Sequence, residues 1–133
     1  MFFFDRKPYS DFSEEILSQC ESGMIAGFLT PVIFSNMYYI LRRIAAHSKV
    51  IEKLKQLLLI TDILKMDKST VIHALNSKFN DFEDALQNYS TVSNKEIDVI
   101  LTRNLKDYKH SELSIMTPET FLKMQSIKRD RGK

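Results

Sequence analysis

Asp81, Glu83 and Asp84 crowd into the stretch Asp81-Phe82-Glu83-Asp84-Ala85-Leu86-Gln87, and Asp107 follows about a helix and a strand later, just beyond Thr102-Arg103-Asn104. Acidic side chains on two successive elements are the oxygen donors that hard divalent cations take, and a cation so held can drive hydrolysis of a phosphodiester. The spacing alone is equally that of a helix start, because Asp and Glu in a first turn are favoured by the free N–H groups and the helix dipole. Asp81, Asp84 and Asn88 recur at three- and four-residue spacing, which predicts one shared polar face.

Other chemistries find less support. His47, His73 and His110 share no ligand spacing and have no neighbouring cysteine, so they read as surface or capping groups rather than a zinc site. Cys20, the one cysteine, excludes an internal disulfide framework and reads as a small core residue. No Gly-rich phosphate loop, Ser-His-Asp arrangement or reactive Cys-His pair is visible. Tyr38 and Tyr39 are of the type that stacks on bases, but on an apolar helix at least one of them belongs to the core.

The 19 Lys and Arg against 17 Asp and Glu leave a formal net charge of +2, too little to establish a nucleic-acid partner. Lys123, Lys128, Arg129, Arg131 and Lys133 crowd the C-terminus, where 128–133 reads as a basic, solvated tail. Arg42 and Arg43 suit a helix end. No run approaches the roughly 18 apolar residues of a membrane span, and Met1-Phe2-Phe3-Phe4 is broken at once by Asp5, Arg6 and Lys7, unlike a secretory signal. We expect a cytoplasmic protein with no membrane partner.

At 133 residues, without repeats or a Gly/Ser linker, the chain reads as one domain, 1–133. Asp11 with Glu14 forms a capping box for a first helix that Gly23 ends, and residues 25–29 make a short apolar strand. Thr30-Pro31 opens a helix to about Ala46, and Ser48 opens another with Val50, Ile51, Leu54, Leu57 and Leu58 on one face. A strand is predicted near 60–64. Asp67 caps a helix carrying Val71, Ile72 and Leu75 inward. Asn80 caps the helix that bears the acids, with Phe82, Ala85, Leu86 and Tyr89 on its buried side. Strands at 97–101 and 114–116 follow, and Thr117-Pro118 starts a last helix burying Phe121, Leu122 and Met124. Strands alternating with helices predict a parallel sheet between helices, with sites beyond the strands' carboxyl ends, where Thr102, Arg103 and Asn104 fall.

Taken in order, Asp5-Arg6-Lys7-Pro8-Tyr9-Ser10, Ser35-Asn36-Met37-Tyr38-Tyr39-Ile40-Leu41, Asp81-Phe82-Glu83-Asp84-Ala85, Thr102-Arg103-Asn104 with Asp107, and Leu113-Ser114-Ile115-Met116-Thr117-Pro118-Glu119 resemble a PIN domain, near the VapC-type bacterial toxins. The resemblance covers nearly the whole chain. It implies a three-layer α/β/α sandwich with a central parallel sheet, and a ribonuclease that cuts single-stranded RNA with Mg²⁺ or Mn²⁺. It makes Asp84 the helix-borne metal ligand and Asp107 the acid after the strand, with Asp81 a nearby or alternative ligand. Asn36 and Asn104 would orient water or phosphate, and Thr102 and Arg103 would meet the RNA. An antitoxin protein and a second copy of the chain are the partners it implies. A catalytically degenerate module that holds RNA or a protein without cutting is the alternative.

Three departures stand out. Asn36 and Asn104 occupy positions where many relatives carry acids, so the site brings fewer charges and a weaker grip on metal. The family's opening strand and its Asp find no counterpart, since Met1 falls where the following helix should already be under way. We expect a start assigned roughly 12 residues too late, with Asp5 not standing in for the missing ligand.

Overall fold

The computed structural model describes residues 11–94, 96–102 and 105–131. The first helix, α1 (Asp11–Ser22), stops where the sequence says it must. Gly23 adopts φ +83°, its amide donates to Cys20 O at 3.2 Å, and the Met24 amide donates to Gln19 O at 3.0 Å. That pair of bonds is a Schellman motif, which satisfies helix carbonyls that would otherwise lack donors. The chain then enters β1 (Phe28–Leu29) through Gly27, whose missing side chain lets Cys20 close in; a Cβ there would meet Cys20 Sγ at 2.6 Å.

Thr30 caps α2 (Pro31–Leu41): its Oγ1 accepts from the Ile33 amide at 3.2 Å, and Pro31 has no amide to leave unsatisfied. After the turn come α3 (His47–Ile60), β2 (Asp62–Ile63) and α4 (Lys68–Leu75), the last capped by Asp67 Oδ1 on the Thr70 amide at 3.1 Å. Then follow α5 (Phe82–Val92), β3 (Val99–Leu101), a 3₁₀ turn Leu105–Tyr108, β4 (Ser114–Met116) and α6 (Pro118–Arg131). The predicted basic tail is thus largely helix, and its last two residues, Gly132 and Lys133, lie outside the described residues.

The strands pair in parallel, as the alternation predicts, but not as one central sheet. Among the described residues β1 pairs only with β2, Phe28 opposite Asp62 and Leu29 opposite Ile63, and β3 only with β4, Val99 opposite Ser114 through Leu101 opposite Met116. A single sheet would need a strand of one pair to bond a strand of the other, directly or through a further strand, and neither is found among the described residues. The shown architecture is therefore α/β with two small parallel pairs. Apolar packing unites them: Ile16, Leu29, Ile33, Leu57, Ile97 and Leu101 belong to one buried cluster drawn from α1, both sheets and the flanking helices.

Facing predictions on four helices are corrected. Val71, Ile72 and Leu75 are exposed, and α4 instead buries Thr70 and Ala74, small residues one turn apart that let it lie close on α5. Leu58 and Met124 are exposed rather than inward. Phe82 is exposed too, because α5 turns a mostly polar set inward: Ala85, Gln87, Asn88, Ser90 and Thr91. No helix among the described residues is long and apolar enough to cross a membrane.

Candidate metal and phosphodiester site

The cap of α5 is Asp81 rather than Asn80. Asp81 Oδ1 accepts from the Asp84 amide at 2.9 Å, which fixes the first turn and commits one of its two oxygens to the backbone. One turn on, Asp84 is half-buried. It faces the 3₁₀ turn after β3, where Tyr108 Oη donates to Asp84 Oδ1 at 3.2 Å. Asp107 is Tyr108's neighbour in that turn, near enough for its charge to act on Asp84.

The electrostatics record this convergence. Burial raises the Asp84 pKa to about 6, helped by the Asp81 and Asp107 carboxylates, while the Tyr108 hydrogen bond pulls the other way and Glu83 adds a smaller upward push. Tyr108 is itself buried, and burial followed by the Asp84 charge raises its hydroxyl above the ordinary phenol value, so it stays a donor.

Asn36, on the exposed face of α2, reaches across to α5 and donates from Nδ2 to Glu83 Oε1. Its amide nitrogen thus serves Glu83, and its carbonyl oxygen is left to accept from water. Asn88, read from sequence as sharing one polar face with Asp81 and Asp84, is only 2 % exposed and accepts from Ser111 Oγ at 2.5 Å. Thr102, expected to touch RNA, is 3 % exposed, and its amide donates to Met116 O at 2.9 Å. That bond closes the ladder at the end of β3. Arg103 and Asn104 lie outside the described residues.

Several contributors went unread in the sequence. Gln87 accepts a 2.6 Å bond from Thr30 Oγ1, tying the β1 end to α5, and its partner is 57 residues away, where no local pattern could point to it. Tyr108 adjoins Asp107, which was identified, and adjacency was the available signal. Phe79 packs edge-on against Tyr108 with ring centroids 5.9 Å apart, holding the phenol beneath Asp84.

Among the described residues no three His, Cys, Asp or Glu side chains stand close enough to form a ligand group. The donors nevertheless suit a hard cation. They are all oxygen, Asp84 suffers like-charge repulsion that a divalent ion would reverse, and one or two carboxylates with water completing the shell is the common protein contribution to a Mg²⁺ site.

No curated protein and no solved structure matches the chain. Residues 2–106, most of its length, match the PIN domain, a family whose members are generally divalent-metal-dependent nucleases. On that match, this chain belongs to the PIN domain family.

Proposed function

We propose that this PIN domain is an endoribonuclease that hydrolyses phosphodiester bonds in single-stranded RNA with Mg²⁺ or Mn²⁺. The observation that carries this reading is Asp84, a half-buried carboxylate pressed by Asp81 and Asp107 and hydrogen-bonded by Tyr108. A bound divalent ion supplies a Lewis acid that lowers the pKa of water and neutralises charge on the phosphate. Asp84 and Asp107 hold it, and the remaining oxygen of Asp81 supports them. Tyr108 keeps the Asp84 carboxylate in one orientation, and Phe79 keeps Tyr108 in place. Glu83 anchors the Asn36 amide so that its carbonyl oxygen can accept from and orient a water, and Asn104 positions water or phosphate with it. Arg103 meets the phosphate backbone.

The test is cleavage of a labelled single-stranded RNA by the full chain with Mn²⁺ present. Asp84→Asn should remove activity by about a thousand-fold, since such a ligand is needed for the metal-assisted step, and a chelator should do the same to the parent. Cleavage by Asp84→Asn at the parental rate would sink the reading. A degenerate binding module is the second reading, favoured by the lack of a three-carboxylate group among the described residues; RNA bound but never cut would select it. The resemblance to VapC-type chains further supports a toxin held by an antitoxin, and assembly as a homodimer. Growth arrest on expression that depends on Asp84, and a dimer mass by light scattering, are the measurements that decide these two points.

A further inference from the structure

The exposed face of α2, continued by the turn that follows it, begins at the candidate site and leads away from it. Asn36, Tyr39 and Arg43 recur at three- and four-residue spacing, all exposed, while Ile33 is buried and Phe34, Met37 and Tyr38 are partly so. Asn36 is held at the inner end by Glu83 of α5. Seven residues of near-helical rise separate it from Arg43, about 10 Å.

What stands along that face is unusual for a solvated surface. Tyr39 is a large aromatic left 67 % exposed, and Tyr38 braces it edge-on at 5.2 Å and 83°. Tyr38 is fixed in turn, its hydroxyl bonded to His47 Nδ1 at 2.9 Å. A rigid, exposed ring presents a stacking face at little entropic cost. Arg42, whose guanidinium donates to Ala45 O at 3.0 Å, and Arg43 put two cations beside it, and Lys49 is exposed just beyond. The sequence holds no Asp or Glu between Glu21 and Glu52. Beyond the Asn36–Glu83 bond, the face's own stretch of sequence carries cations and no acid.

We propose that the Tyr39–Arg43 face is a docking track for single-stranded RNA beside the scissile phosphate, one base stacking on Tyr39 and the backbone meeting Arg43. This rests on the nuclease reading for its substrate, and commits to nucleic acid because the face pairs an aromatic platform with two arginines in a stretch of sequence that carries no acid. The track gives the substrate a hold that does not depend on metal, on a protein whose overall charge is nearly balanced.

The test is fluorescence anisotropy of a short single-stranded oligoribonucleotide on the Asp84→Asn chain, with the same substitutions also placed in the parent for cleavage. Tyr39→Ala should weaken binding about ten-fold, the size of one lost base–aromatic stack, and Tyr39→Phe should restore it. Arg43→Ala should make the dependence of log affinity on log salt shallower by about 0.7, one phosphate contact on a single strand. Both exposed substitutions should leave the thermal transition in place. Unchanged affinity and unchanged salt slope in a chain that binds RNA would overturn the track, and the nuclease reading would survive if the parent still cuts. Binding lost through Tyr39 in a parent that never cuts would keep the track and end the nuclease reading. A parent that neither binds nor cuts ends both.

Discussion

Asp84 holds its proton more tightly folded than unfolded, at about 6 against an ordinary value of about 3.9. Its contribution to stability is therefore full below about pH 4 and is lost as pH climbs through about 6. We expect the metal-free chain to lose stability across that window. Asp84→Asn should flatten the loss and stabilise the metal-free chain at neutral pH by on the order of 1 kcal/mol, a figure discounted for the solvent that reaches this half-buried group. Urea titrations at pH 4 and pH 7 check both. Mn²⁺ needs the ionised carboxylate, so its effect on the melting temperature should be present at pH 8 and fade below about pH 5. Tyr108→Phe removes the bond that lowers the Asp84 pKa, and the midpoint of that metal effect should move to higher pH.

At the scale of elements, Thr30 joins three things: the end of β1, the start of α2 and the buried flank of α5. Thr30→Val should cost about 2–4 kcal/mol, combining a lost cap with a buried Gln87 oxygen left without its donor. Gly27→Ala should cost about 1–3 kcal/mol by overpacking, and Cys20→Ala in the same chain should recover much of it, because the clash is with Cys20 Sγ. Chemical denaturation of the single and double variants measures the coupling. Such junctions mark the border of what was legible in the sequence. The helix boundaries at Gly23, Thr30-Pro31, Asp67 and Pro118 were written locally, in residues whose backbone preferences act within one turn. The facing of α4 and α5 was not. Counting apolar residues put Val71, Ile72, Leu75 and Phe82 inside, whereas Thr70, Ala74 and the inward Gln87 and Asn88 were chosen by partners such as Thr30 and Ser111, distant in the chain. The acids Asp81, Asp84 and Asp107 were visible as types; the link between Asp84 and the turn that carries Asp107 runs through Tyr108 and a 3₁₀ turn that no periodicity announces.

At the scale of the molecule, β1–β2 and β3–β4 share no ladder among the described residues, yet Leu29 and Leu101 lie in the same buried cluster with Ile16 and Ile97. Apolar contact rather than backbone pairing is what makes the described residues one body. Local opening of either pair alone would expose the cluster common to both, so neither can open cheaply while the other stays shut. Native-state deuterium exchange should therefore find the amides of Leu29 and Ile100 opening with one shared free energy and one shared dependence on denaturant.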